Sequence, residues 1–290
     1  MNFFKAHNFG NDFVIIDARE NPGIIKNCTD LTIALCDRRR GIGADGCLIV
    51  LRSKVADVKM LIINADGSPA NMCGNGVNCL ARYLIHRNLV QNEIFTVETV
   101  TNVIKVQIIQ RGRKNTAVKI ELGVAETMVR EKYNRPVPLV HYPIEVRGKK
   151  IYITSISIGV PHTIIFVRRI LPNLLVDVGP LIEKHRLFSE GTNVSLVKII
   201  NRNNIAMMTH ERGVGLTMAC GTGAAAAAMA AYLGGKTTNR VTVHLPLGKV
   251  MITIKKNGSI AMTGLIASIV CEGKLLEPED TCKILLRSSS

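Results

Sequence analysis

Short apolar runs, cut off by polar or turn-forming residues, recur along the chain. Phe13–Asp17, Cys47–Leu51, Lys59–Ile63, Val103–Ile109 and Val118–Leu122 are rich in β-branched and aliphatic side chains and read as strands. So do Ile151–Ile158, Thr163–Val167, Val194–Ile200, Val241–Leu245 and Val250–Ile254. Three stretches carry apolar residues at helical spacing instead: Leu31–Asp37, Val77–Asn88 and Ala224–Leu233. Asp30 stands near the start of the first, and Gly234-Gly235 ends the third. The third is nearly all alanine and methionine and has no polar face, so it must be buried on every side. The second is also strongly apolar, through Val77, Leu80, Ala81, Leu84 and Ile85.

The two apolar helices follow versions of one motif. Asn64-Ala-Asp-Gly-Ser-Pro-Ala-Asn-Met-Cys73-Gly-Asn-Gly matches Glu211-Arg-Gly-Val-Gly-Leu-Thr-Met-Ala-Cys220-Gly-Thr-Gly without a gap. Asn64 and Glu211 each end an apolar run nine residues before their cysteine. Each motif then passes through a glycine-bearing loop into Cys-Gly-x-Gly at a helix start. The pattern predicts an α/β fold, more finely α+β, of two pseudo-symmetric halves. Each half is a curved mixed sheet wrapped around a central helix. The polar stretch Arg111–Thr116 sets the division, giving residues 1–117 with 267–290 as the half carrying Cys73 and residues 118–266 as the half carrying Cys220. Ser268–Val270 is the strand-like segment that would return to the first half.

Composition narrows the chemistry. The 290 residues are 47% apolar, enough for sizeable cores, yet no apolar stretch reaches the eighteen or so residues of a membrane span. Met1-Asn-Phe-Phe-Lys5 does not resemble an export signal, which points to the cytoplasm. Eight cysteines form no CxxC pair and no zinc-like cluster, so no metal is expected. Cys28, Cys36, Cys47, Cys79, Cys271 and Cys282 read as buried structural thiols. The net charge of +15 is spread over Arg38–Arg40, Arg111–Lys114, Lys149-Lys150 and Arg168-Arg169. Only 4% of residues are aromatic and tryptophan is absent, so stacking platforms for nucleic acid are scarce.

A helix N-terminus presents unsatisfied N–H groups and partial positive charge. Carboxylates dock there, and a cysteine there has its thiolate stabilised. Glycines 74, 76, 221 and 223 let a ligand approach the backbone. Were the two helix starts to face one small carboxylate, one thiolate could take the α-proton while the other thiol returned a proton to the opposite face. N–H dipoles aimed at the enolate charge, with water excluded, would stabilise so weak a carbon acid.

These residues resemble the diaminopimelate epimerase family. The resemblance rests on Lys5 with Gly10-Asn-Asp-Phe13, Asp37-Arg38, Gly41-Ile-Gly-Ala-Asp-Gly46, Asn64-Ala-Asp-Gly-Ser68 and Met72-Cys-Gly-Asn-Gly76. It continues through Pro161-His162, Thr192-Asn193-Val194, Glu211-Arg-Gly-Val-Gly215 and Ala219-Cys-Gly-Thr-Gly-Ala224. It implies an epimerase that interconverts LL- and meso-diaminopimelate without pyridoxal phosphate or any other cofactor, with its site in the interdomain cleft. Cys73 and Cys220 would be the acid–base pair. Gly74, Asn75, Gly221 and Thr222 would offer N–H groups to the reacting carboxylate, and Asn11 and Glu211 would hold the reacting end with its amino group. Asn64, Asn193 and Arg212 would hold the far end, and His162 and Glu211 would support the catalytic groups. The resemblance also implies a homodimer whose partner is a small amino-acid substrate, with no nucleic acid or membrane involved.

Four positions depart from the family pattern. Asn8 stands where glycine is usual, Asn78 where arginine is typical and Leu216 where glutamate is typical. The last two together are consistent with a lost ion pair. Val160 replaces the asparagine that helps bind the far amino group, which leaves open a racemase of the same mechanism acting on another amino acid. A dinucleotide enzyme fits less well. Gly41-Ile-Gly-Ala-Asp-Gly46 precedes a strand-like run where a helix is required, and no acid follows Gly221-Thr-Gly within Thr238–Val250. Titration calorimetry with NADPH is therefore expected to give no binding heat.

Overall fold

The computed structural model describes residues 1–70, 73–112, 116–130, 136–265 and 267–275. Met72, Arg113, Lys114, Cys282 and, of the stretch 267–290 assigned above to the first half, residues 276–290 lie outside the described residues. The chain divides into two compact units. One comprises Met1–Lys119 with the described part of Leu265–Ser290, and the other Ile120–Gly264.

The first unit contains β1 (Asn2–Asn8), β2 (Asn11–Asp17), α1 (Cys28–Cys36), β3 (Gly46–Leu51), β4 (Val58–Asn64), β5 (Pro69–Ala70), α2 (Gly74–His86), β6 (Ile94–Glu98) and β7 (Val103–Gln110). β8 (Ala117–Val124) leads into the second unit. Strands pair in the order β1, β2, β3, β4, β6, β7, alternately antiparallel and parallel. The later segment Ser268–Lys274 adds antiparallel to β1. β3 and the Phe13–Ile16 stretch of β2 are apolar and buried because helices cover the sheet there. Leu31, Leu35 and Cys36 of α1 pack with Val14, Ile16, Cys47 and Ile49, while α2 lies against Leu48 and Ile62.

The second unit repeats this plan. It contains β9 (Met128–Arg130), β10 (Pro136–Pro138), β11 (Tyr142–Val146), β12 (Lys149–Ser157), β13 (Pro161–Phe166), α3 (Pro172–Glu183), β14 (Asn193–Asn201), β15 (Asn204–Glu211), β16 (Gly215–Thr217), α4 (Gly221–Leu233), β17 (Arg240–Leu245), β18 (Gly248–Ile254) and β19 (Ser259–Leu265). The order β12, β13, β14, β15, β17, β18 has the same alternation of antiparallel and parallel pairs. β11 occupies the place beside β12 that Ser268–Lys274 occupies beside β1. The short hairpins also share a register. Ile62 faces Ala70 and Ile63 faces Pro69, as Thr209 faces Thr217 and His210 faces Leu216.

Every run read above as a strand forms one, and all three expected helices form. α2 and α4 each start three residues earlier than their apolar periodicity, because the first turn is Gly-x-Gly held by a cap. Residues 221–231 of α4 are buried on all sides, with strands β12–β15, β17 and β18 around them. β1, β6 and β15 were not expected. They bury mostly alternate residues. β1 mixes Phe with Lys, Ala and His, and the apolar run of β15, Ile-Ala-Met-Met, is short of β-branched side chains. Cys271 is exposed on the segment Ser268–Lys274 and Cys28 is only half-buried, contrary to their reading as buried thiols, whereas Cys36, Cys47 and Cys79 are buried.

α3 was also unexpected, since Gly179-Pro180 normally breaks a helix. Packing overrides propensity here: Leu175, Val178 and Ile182 are buried against Ile165, Val194 and Leu196. Gly179 permits the contact, because a Cβ there would lie 2.7 Å from His210 Cγ on β15. Gly179→Ala is expected to lower the stability of the second unit by about 1–3 kcal/mol through overpacking, read from the urea-unfolding midpoint.

Candidate active site

Cys73 and Cys220 are the N-cap residues of α2 and α4, and both have extended backbones. Each sulfur accepts a hydrogen bond from the third residue of its helix, Gly76 N at 3.4 Å and Gly223 N at 3.3 Å. Sulfur thus fills the place usually taken by a serine or aspartate oxygen. Gly223 makes room for its sulfur, since a Cβ there would lie 3.1 Å from Cys220 Sγ. The N–H groups of Gly74, Asn75, Gly221 and Thr222 occupy the first two helical positions, where the helix itself supplies no acceptor. A carboxylate oxygen suits that position and the local dipole.

Around Cys73 the first unit assembles a polar cluster. The Cys73 thiol donates to Asn11 Oδ1 at 3.8 Å, and Asn75 Nδ2 donates to the same oxygen at 3.3 Å. Asn8 Nδ2 in turn donates to Asn75 Oδ1 at 3.0 Å, with both residues buried. Behind Asn11 lies a charged lattice. Asp12 bridges Lys5 at 3.1 Å and Arg38 at 2.8 Å, and Arg38 also reaches Asp45 at 2.7 Å. Burial opposes the Asp12 charge, but Arg38 and Lys5 outweigh it and hold the carboxyl below its ordinary range. Asp37 accepts backbone N–H bonds from Arg39 and Arg40 and the Arg40 side chain, which lower its pKa to about 2.

The same turn explains the glycine motif at 41–46. Gly41, Gly43 and Ala44 donate to the carbonyls of Asp37, Leu35 and Cys36 and close the C-terminus of α1. A Cβ at Gly41 would lie 2.3 Å from the Ala34 carbonyl. The glycines serve this turn from helix to strand.

Around Cys220 the second unit places Thr222, whose hydroxyl lies 3.6 Å from the sulfur. Glu211 ends β15, and its Oε1 accepts from Thr217 Oγ1 at 2.6 Å. Asn193 Oδ1 accepts from Arg212 N at 2.9 Å, and Asn193 Nδ2 donates to Pro161 O at 3.3 Å. The Arg212 guanidinium donates to the Glu190 carbonyl. Asn193 is the register partner of His162 on β13. Asn64 ends β4 and donates through Nδ2 to Ser68 Oγ at 3.0 Å.

The structure therefore groups Cys73, Gly74, Asn75 and Asn11 in one unit. It groups Cys220, Gly221 and Thr222, and separately His162, Asn193 and Arg212, in the other. The sequence reading assigned Asn75 only a backbone role and overlooked Asp45 and the side chain of Asn8. It also missed the pair of His210 Nε2 with Glu183 Oε2 at 2.8 Å, whose carboxylate accepts from Gly213 N and braces the turn carrying Glu211 and Arg212. Residues on non-adjacent elements leave no spacing signal for such contacts.

His162 is fully buried, and neither ring nitrogen has a hydrogen-bond partner among the described residues. Burial, assisted by the nearby Arg212 charge, lowers its pKa to about 3. The ring is therefore neutral at physiological pH.

Comparison with known proteins bears on this arrangement. The family model described as diaminopimelate epimerase matches residues 3–128 and 154–268. The diaminopimelate epimerase of Caldanaerobacter subterraneus subsp. tengcongensis is 41% identical over 271 residues, covering 93% of this chain and 97% of that protein. The corresponding protein of Carboxydothermus hydrogenoformans is 40% identical over 279 residues, covering 94% and 99%. Solved structures share the fold at low identity. A hydroxyproline epimerase from Agrobacterium vitis gives a TM-score of 0.69 at 12% identity, covering 95% of this chain and 90% of that one. A PhzF-family protein of Bacillus anthracis gives 0.65 at 17% identity, covering 95% and 99%.

The His162 environment fixes the sign of a pH effect. An unfolded-state histidine near 6.5 binds a proton that the native ring refuses until about pH 3. This contribution to stability is complete above about pH 6.5 and is lost at about 1.4 kcal/mol per unit as pH falls toward 3. His162→Phe is expected to flatten the unfolding free energy over that window. In the native protein the ring C–H resonances of His162 should not titrate between pH 5 and 8.

Proposed function

We propose, because this chain belongs to the diaminopimelate epimerase family, that it inverts one α-carbon of diaminopimelate by moving a proton between two thiols. The observation that carries the mechanism is the pair of sulfur-capped helix starts, set behind hairpins of identical register. In this reading one sulfur, as thiolate, removes the α-hydrogen as a proton while the electron pair of the broken C–H bond delocalises into the carboxylate. The N–H groups of Gly74, Asn75, Gly221 and Thr222 stabilise that enolate charge. The other sulfur, as thiol, delivers its proton to the opposite face. Proton count is conserved, and the sulfurs finish with exchanged roles, ready for the reverse reaction. No cofactor enters this scheme.

Asn11 and Glu211 serve the reacting end with its ammonium group, and Asn64, Asn193 and Arg212 the far end. His162 supports the arrangement as a buried neutral ring. The enzyme acts as a cytoplasmic homodimer on a small amino acid, without nucleic acid or membrane. No described helix is long and apolar enough to cross a membrane.

Val160 favours a second reading, in which the same chemistry acts on another amino acid. Its carbonyl accepts from Ile158 N in the turn between β12 and β13, and its side chain offers no hydrogen bond to a far ammonium. Wash-in of solvent deuterium at the α-carbon separates the readings. Exchange into LL-diaminopimelate is expected, whereas exchange only into other amino acids would favour the second. Cys73→Ala and Cys220→Ala should each lower inversion by about 10²–10⁴-fold, the usual contribution of a general acid or base. Full activity in either variant would refute the two-thiol scheme.

A further inference from the structure

Three carboxamides stand in line beside Cys73, and each could be reversed without changing shape. We propose that Asp45 is the positioning residue that sets their direction, aiming the Asn11 carbonyl oxygen toward Cys73 and the reacting end of the substrate. Asp45 Oδ2 accepts from Asn11 Nδ2 at 2.9 Å and from Asp12 N at 3.0 Å. Its Oδ1 accepts from Arg38 Nη2 at 2.7 Å. Its own backbone N–H donates to Asp12 O at 2.9 Å and Asp12 Oδ1 at 3.0 Å. Although 43% of the Asp45 side chain is exposed, donors on both its oxygens fix its orientation.

An ionised carboxylate can only accept, so the part of Asn11 facing it must be the NH₂ group. The Asn11 oxygen then points the other way, toward Cys73 Sγ and Asn75 Nδ2. Asn75, having presented its NH₂ group, must turn its oxygen to Asn8, which answers with its own NH₂ at 3.0 Å. Reversing the line would set the Asn11 oxygen against the Asp45 carboxylate, acceptor to acceptor. One charge thus selects between two otherwise equivalent arrangements of three amides.

The device is confined to one half. Phe13 pairs with Gly46 as His162 pairs with Asn193, so the counterparts of Asn11, Asp12 and Asp45 are Val160, Pro161 and Thr192. None of these carries a charge. Thr192 instead shares a hydrogen bond with Thr163 at 3.0 Å. Two similar halves therefore present unlike surroundings to their sulfurs. For a substrate ammonium, an oxygen at Asn11 attracts and an NH₂ group repels. This consequence rests on the function proposed above.

The test is a double-mutant cycle of Asp45→Ala and Asn11→Ala, read as kcat/KM for α-deuterium exchange. Asp45→Ala is expected to lose up to about 10²-fold, and the double variant to be no worse than Asn11→Ala alone. Losses that multiply would overturn the proposal. A second readout needs no turnover. The side-chain NH₂ signals of Asn11, identified by their absence in Asn11→Ala, should show the shift of a charge-bonded amide in the native protein. They should move to the position of a solvated amide in Asp45→Ala. Unchanged signals would overturn the proposal even if the enzyme is active. Native protein that exchanges no deuterium into diaminopimelate would instead count against the proposed function, with the signals still deciding the role of Asp45.

Discussion

The hydrogen bond from the third helical N–H to a cysteine sulfur is the constraint on which both halves are built. It stops the extended chain and starts the helix at one residue, so it fixes where the thiol lies relative to the first two N–H groups. Glycine at the third position relieves crowding there: a Cβ at Gly223 would press on Cys220 Sγ at 3.1 Å, and one at Gly76 on Leu48 at 3.3 Å. The hairpin before each cap makes the constraint repeatable. With Ile63 opposite Pro69 and His210 opposite Leu216, the loop leading into each cysteine has the same length and the same entry. Shifting either pairing by one residue would reverse every side chain of the short strand and displace the sulfur from its cap.

Much of this was legible because it depends on local pattern. The central stretch of β2 and the whole of β3 are buried on both faces and therefore appear as continuous apolar runs. α4 is surrounded by strands and therefore has no polar stripe. The repeat itself predicted paired helix starts, and the strand pairing of the two units has the same order and polarity. What escaped the sequence is what long-range packing decides. α3 carries two residues that disfavour helix and survives through three buried aliphatic side chains and a glycine seated against His210. β1 and β15 bury mainly alternate residues and interleave them with polar or half-buried ones. The amide line at Asn11, Asn75 and Asn8 joins two strands and a helix, so its members have no common spacing.

The halves share architecture but not electrostatics. The first surrounds its sulfur with amides backed by two acids and two bases. The second places threonine beside its sulfur and a neutral buried histidine near Arg212. A duplicated scaffold supplies equal geometry, and these substitutions break its chemical symmetry. That matters for any reaction in which two thiols must hold different protonation states at the same moment. The ring of His162, which has no hydrogen-bond partner among the described residues, is a cost accepted inside the second unit, since buried polar groups ordinarily find partners.

The segment Ser268–Lys274 lies late in the chain yet forms part of the earlier sheet, pairing along β1 while the amino group of Met1 binds the Leu275 carbonyl. During synthesis the ribosome must release this segment before that sheet can be completed. The unit from Ile120 to Gly264 is continuous and has no such dependence. The usual vectorial order, in which the leading domain matures first, is therefore reversed for this chain. Until Ser268–Lys274 has been synthesised, the nascent protein carries β1 with an open edge, a point at which chaperones or neighbouring chains compete for it.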